Sequence, residues 1–233
     1  MSPARRGLGL ADAAARLVAD APDGATPPAG VALAVRTPAL DESGAAGRRR
    51  LAGLPAAAMT VDTHHDLASV TKVVATTTAL LRLVSDRVVS LDDPAARYLP
   101  GLAAGAKSSI TLRHLLQHRA GLWEWHPLYL VTTDPAAASA LARTLPLRYR
   151  PGSGRHYSDL GFMLLGQVIA AATGQALRDA IGTLVTGPLG LTSTRFAHPV
   201  TDETEGHDGY DHERHGCEQP RIQRDGLDIL RVL

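Results

Sequence analysis

The sequence predicts an α+β chain, and three observations carry that prediction. A β-branched and apolar run at 30–36 has strand character. Of two later helical segments, 66–83 carries apolar residues round most of its circumference, as a buried helix does, and 160–173 is closed by Gly174. Gly- and Pro-rich turns separate these segments, so strands and helices lie in different parts of the chain.

Taken in order, 10–21 reads as an amphipathic helix. The strand at 30–36 is expected to pair with a weaker one at 48–54, the Gly/Ala/Asp-rich residues between them forming the hairpin loop. Arg48-Arg49-Arg50 reads as a solvated strand end or loop. The helix at 66–83 begins near Ser69, and 91–101, with two prolines and Asp92-Asp93, is a loop. A short helix at 111–118 is ended by Gly121, and 134–145 is a helix with Pro135 in its first turn. Pro151-Gly152-Ser153-Gly154 is a turn, 160–173 a helix closed by Gly174, and 175–185 a further helix. Residues 1–205 are predicted to form one domain. The charged, His-rich stretch 206–233 differs from it, and reads either as a solvated tail or as the product of a shifted reading frame.

Composition excludes several classes. Hydrophobic residues at 45% and charged residues at 20% are those of an ordinary globular chain, and a net charge of +1 gives no footprint for nucleic acid or an anionic membrane. The single cysteine, Cys217, rules out an internal disulfide. Residues 1–30 hold no apolar run suited to a signal peptide, and no stretch is apolar enough to span a bilayer. The expectation is a cytoplasmic protein without membrane or nucleic-acid partners.

Chemistry enters with lysine. Only two of the 24 basic residues are lysine, Lys72 and Lys107, and Lys72 stands in Ser69-Val70-Thr71-Lys72. Arginine cannot give up its proton in a protein, whereas a desolvated lysine can. At i, i+3 the two side chains share a helical face, so Lys72 is in reach of the Ser69 hydroxyl. To act as a base near neutrality its pKa must fall from about 10.4 to roughly 7, a direction favoured by burial and a helix N-terminus. The same helix start offers the Ser69 N–H to an oxyanion. The structural alternative is an N-cap serine followed by a snorkelling lysine. Tyr157, after a glycine-rich turn and before a helix, is the second acid/base candidate, or else a turn tyrosine packed on the core. Asp159 is an N-cap by default and a substrate contact second. Trp123 and Trp125 line a pocket or pack on the core. His114 and His118 have the i, i+4 spacing of zinc ligands, but no glutamate lies between them to act as base.

Together the segments Asp66-Leu67-Ala68-Ser69-Val70-Thr71-Lys72, Ser90-Leu91-Asp92-Asp93-Pro94, Tyr98-Leu99-Pro100, Leu115-Leu116-Gln117-His118 before Gly121-Leu122, Tyr157-Ser158-Asp159-Leu160-Gly161 and Pro188-Leu189-Gly190-Leu191 resemble the serine β-lactamase and penicillin-binding-protein superfamily, in its class C-type esterase branch. The resemblance implies a β-lactamase/DD-peptidase-like fold, a helical lobe plus antiparallel sheet, here with most C-terminal strands missing. It implies Ser69 as acylated nucleophile, Lys72 as base or proton shuttle and Tyr157 as second acid/base. Asp159, where many relatives have asparagine, and Trp123 would meet substrate, and His114 and His118 become structural. An aspartate there pairs with Lys72 but offers no donor, which favours esters over β-lactams. The family's third motif, Lys or His followed by Ser/Thr and Gly, has no credible copy. The expected activity is therefore hydrolysis of a small-molecule ester or amide without metal or organic cofactor. The alternatives are an impaired, truncated remnant or penicilloyl-binding protein, and a His-rich metal-binding module.

Overall fold

The computed structural model describes residues 9–20, 25–49, 57–197 and 229–232. Two compact units divide at Asp66 and Leu67.

In the first, helix α1 (Leu10–Ala19) buries Ala14, and its Leu10 N–H donates to Glu42 Oε1 at 2.8 Å. Strands β1 (Gly30–Thr37) and β2 (Leu40–Gly47) are antiparallel, in register from Thr37 opposite Leu40 to Gly30 opposite Gly47. A two-residue connection joins them, and Thr37 Oγ1 accepts from the Ala39 and Leu40 amides at 3.2 and 3.0 Å. This corrects the expected pairing: the Gly/Ala-rich stretch is the second strand, not the loop. The reason is packing. A side chain at Gly44 would run into the α1 backbone at Leu10 and Ala11, so only small residues let the helix lie on this strand. Arg48 forms an isolated bridge with Ala58, and residues 50–54 of the expected partner lie outside the described residues. The two-residue β3 (His65–Asp66) ends this unit.

The second unit is helical and built round one core. A π-helical segment, Lys72–Thr77, runs into α2 (Thr78–Ser85). The hydroxyls of Thr77 and Thr78 donate to the carbonyls of Lys72 and Val73, five residues back, at 2.8 and 2.9 Å, which supports the widened turn. Then come α3 (Leu112–Leu116), α4 (Pro135–Thr144), α5 (Asp159–Thr173) and α6 (Leu177–Ile181), the last continuing into a second π-helical segment, Gly182–Thr186. Helix α5 is the centre: Leu160, Leu164, Leu165, Val168 and Ile169 are buried, and it packs on α3, α4, α6 and the Lys72–Thr77 segment. Its C-cap is Gly174, at φ +68°, as expected. Pro135 stands in the first turn of α4, as expected, and Asp134 caps the helix through the Ala136 and Ala137 amides. Strand β4 (Thr194–Ala197) pairs antiparallel with β5 (Ile229–Val232). So four residues of the expected tail form a strand; residues 206–228 lie outside the described residues.

The acidic loop proves to be a clamp. Asp93 Oδ2 accepts from the Ser90 amide at 2.8 Å and the Tyr98 hydroxyl at 2.6 Å, while its carbonyl accepts from Leu112 N. Burial first, then the hydrogen bond to Asp93, pushes Tyr98 up to about 12. Two short 3₁₀ turns, Ala95–Arg97 and Pro100–Leu102, fold the rest of the segment. We expect Asp93→Asn, which takes the negative charge from the Tyr98 bond, to lower unfolding free energy by about 1–2 kcal/mol in a urea titration, without changing the site described next.

Candidate active site

Ser69 sits at the exposed mouth of the Lys72–Thr77 helix. The turn before it is tight: Val70, Thr71 and Lys72 donate their amides to Leu67, Ala68 and Ser69 carbonyls. Ala68 takes φ +42°, a left-handed conformation costly for a residue with a Cβ. That twist places Ser69 before the first helical residue rather than inside the helix. The Ser69 N–H takes no backbone partner among the described residues.

Lys72 Nζ donates to Ser69 Oγ at 3.1 Å and stands 2.7 Å from Asp159 Oδ1. The serine–lysine spacing therefore becomes a contact. Lys72 also lies over the Tyr157 ring, 5.0 Å from its centroid, and 5.9 Å from that of Phe162. Its side chain is 15% exposed. One expectation is corrected. Burial does pull the lysine down, but hydrogen bonding to Asp159 and Tyr157, and the charge of Asp159, outweigh it and hold Lys72 above the ordinary lysine value of 10.5. The resting lysine is a cation, not a neutral amine.

Tyr157 and Asp159 are delivered by the start of α5. Ser158, only 4% exposed, is the N-cap, which corrects the default assignment of that place to Asp159. Its Oγ accepts from the Gly161 amide at 3.1 Å and donates to the Trp123 carbonyl at 2.6 Å. Asp159 takes the first helical position, where the N-terminal dipole favours a carboxylate. Its amide donates to the Glu124 carbonyl at 2.7 Å, so residues 123–124 are stitched to the helix start by two bonds. Gly121 makes the loop's entry feasible: it has φ +78°, and a Cβ there would strike the Tyr149 carbonyl oxygen.

Trp123, one expected substrate contact, is 42% exposed. Its indole N–H donates to the Pro146 carbonyl at 3.1 Å, and the Arg148 guanidinium lies 5.0 Å over its ring, so it is a braced wall. Trp125, 55% exposed, pairs with Tyr129 rather than entering the core. His114 takes a capping role: Thr111 Oγ1 accepts from the His114 amide and His114 Nδ1 from the Thr111 amide. No group of three or more metal-ligating side chains occurs among the described residues, and no single described helix is long and apolar enough to cross a membrane.

His118, expected to be structural, has a partner that the sequence did not name. Its Nδ1 accepts the Ser158 amide at 2.9 Å, and its ring packs on Tyr157 and Phe162 at centroid distances of 4.5 and 5.0 Å. The i, i+4 spacing to His114 drew attention to metal; the tertiary partner forty residues on leaves no local trace.

A model of the β-lactamase family matches residues 14–227. The chain belongs to the β-lactamase family. It is 35% identical over 150 residues to a provisionally named D-alanyl-D-alanine carboxypeptidase of Escherichia coli strain K12, covering 59% of this chain and 35% of that protein. It is 35% identical over 201 residues to esterase EstB of Burkholderia gladioli, covering 77% of this chain and 48% of the esterase. The structure of D-amino acid amidase from Ochrobactrum anthropi SV3, complexed with D-phenylalanine, superposes with a TM-score of 0.62 at 28% identity, over 80% of this chain and 50% of the amidase. The chain thus spans no more than about half of each relative's length. The fold expected from the sequence, a β-lactamase/penicillin-binding-protein-like helical lobe with a small antiparallel sheet, is the one observed. Members of the β-lactamase family are serine hydrolases, among them esterases, carboxypeptidases and amidases.

Proposed function

We propose that this chain carries the acylation half-site of a serine hydrolase acting on a small-molecule ester or amide. The contact of Lys72 Nζ with both Ser69 Oγ and Asp159 Oδ1 is the observation that supports it most. Ser69 Oγ attacks the carbonyl carbon of the substrate as its proton passes to Tyr157, which enters the step as the phenolate and leaves it as the phenol. Lys72, kept cationic by Asp159, stabilises the negative charge that moves between the serine and phenol oxygens. The Ser69 amide faces the carbonyl oxygen as it gains charge. The tyrosine then returns the proton to the departing alcohol or amine, leaving an acyl-serine that water hydrolyses. No cofactor enters the scheme.

Asp159 supports an ester over a β-lactam. An aspartate paired with Lys72 is an acceptor and offers no donor to a substrate amide carbonyl.

The test is an active-site label followed by mass mapping. A fluorophosphonate should add once to the 233-residue chain, on the peptide holding Ser69, and p-nitrophenyl esters should turn over. A label without turnover would make the chain a single-use acyl acceptor. A label on any other serine, or none, would end this assignment.

A further inference from the structure

We propose that neutral His118 is the positioning residue of this site, holding Tyr157 against Lys72 by accepting the Ser158 amide proton and stacking on the phenol. The inference rests on the base role given above to Tyr157. His118 stands at the turn that ends α3, at φ +58°, where few side chains are comfortable. Its backbone is pinned on both sides: the N–H donates to the Leu115 carbonyl at 3.1 Å, and the carbonyl accepts from the His156 amide at 3.0 Å. Its ring therefore has a fixed origin. Nδ1 meets the Ser158 N–H at 2.9 Å, one residue beyond Tyr157, while the ring faces Tyr157 at 4.5 Å with an interplanar angle of 30°. Phe162, one turn into α5, closes the other side at 5.0 Å. One histidine thus fixes both the backbone after the phenol and the phenol's face.

The arrangement works in one protonation state. An imidazolium has a proton on both nitrogens, so Nδ1 would confront the Ser158 N–H donor with a second donor. The charges round the ring oppose that state. Lys72 comes from the Ser69 helix and Arg155 from the loop before Tyr157, against the single carboxylate of Asp159 at the start of α5. Among the described residues Tyr149, whose hydroxyl approaches the His118 carbonyl, and His156, whose amide donates to it, are further titratable groups in contact with His118, and His114 and Arg119 flank it on the α3 turn. Burial, then Lys72 and Arg155, hold His118 below the ordinary histidine value of 6.5. A depressed histidine contributes its stability above about pH 6.5 and loses it as pH falls through the lower folded-state value, so acid is the disabling direction.

The experiment compares fluorophosphonate labelling rates of the full chain from pH 5 to 9 in wild type, His118→Phe and His118→Asn. His118→Phe keeps a ring but no acceptor. His118→Asn puts an amide oxygen where Nδ1 stood and tolerates a positive φ. We expect the phenylalanine variant to lose about 10–100-fold in maximal labelling rate with half-saturation within about threefold. The asparagine variant should recover most of that rate and lose the acid limb seen in wild type. In the wild-type amide spectrum, Ser158 should shift with the pH that titrates His118, which needs no variant to fold. Ser69→Ala and Tyr157→Phe serve as controls. If those two label like wild type, the assignment of the site itself is wrong. If they fail to label while both His118 variants keep the wild-type rate and acid limb, and the Ser158 amide ignores His118, only the role given to His118 is overturned.

Discussion

Lys72→Met is expected to slow acylation of Ser69 by about 10³-fold, the size of loss met when a charge placed to stabilise the reacting oxygens vanishes. The substitution keeps length and apolar stem but removes the cation 3.1 Å from Ser69 Oγ and 2.7 Å from Asp159 Oδ1. Asp159 Oδ1 is buried and, among the described residues, has no donor other than Lys72, so without the lysine it is stranded. Lys72→Arg tests that electrostatic role, since guanidinium restores the charge but transfers no proton. If it recovers none of the loss, proton transfer through the amine is essential; substantial recovery means the cation alone matters. The pH dependence has a definite sign. A lysine raised in the folded state contributes its ion-pair stability fully below its ordinary value near 10.5, and loses it as pH rises through the higher folded-state value. Lys72 should therefore remain protonated across pH 6–9 in a side-chain NMR titration. A deprotonation near neutrality would restore the neutral-amine mechanism and displace Tyr157 from the base role.

Ser158→Ala is expected to cost about 2–4 kcal/mol of folding stability. Loss of the cap on the Gly161 amide accounts for about 1 kcal/mol. The Trp123 carbonyl, left without its 2.6 Å donor in a part-buried setting, adds about 1–3. In a thermal melt this is a fall of roughly 5–15 °C. Labelling should drop as well, because the same hydroxyl ties residue 123 to the helix that carries Tyr157 and Asp159. An unchanged melting temperature would mean that water or a neighbouring group replaces both bonds.

Much of this site was legible without coordinates because its chemistry is local. Ser69 and Lys72 are one turn apart, and a contact between them follows from helical spacing. Asp134 with Pro135, and Gly174 after an apolar helix, are end signals that act within a few residues. What was hidden depended on partners far along the chain. The protonation state of Lys72 is decided by a carboxylate at position 159, so an argument from burial alone had the wrong sign. Ser158 outcompeted Asp159 for the cap because Trp123 gives its hydroxyl a second partner, and Lys72 gives the aspartate another use. The hairpin was misplaced because glycine and alanine score as loop by propensity, whereas α1 needs a smooth strand to lie on. His118 was expected to be structural, but its partner stayed hidden because a spacing of four is visible and a contact with residue 158 is not.

The π-helical stretch from Lys72 to Thr77 has a bearing on how such a site arises and how it is lost. A turn of this kind is an α-turn with surplus chain, and one residue corresponds to about 100° of rotation about the axis. Excising a single residue between Val73 and Thr76 would let the helix relax to ordinary pitch while Ala79, Leu80 and Leu83 stayed anchored in the core. Ser69 and Lys72 would then swing together, their mutual contact preserved, to a heading where neither Tyr157 nor Asp159 awaits them. The pair is thus portable along its own helix, and its address is written in the length of the segment that follows it.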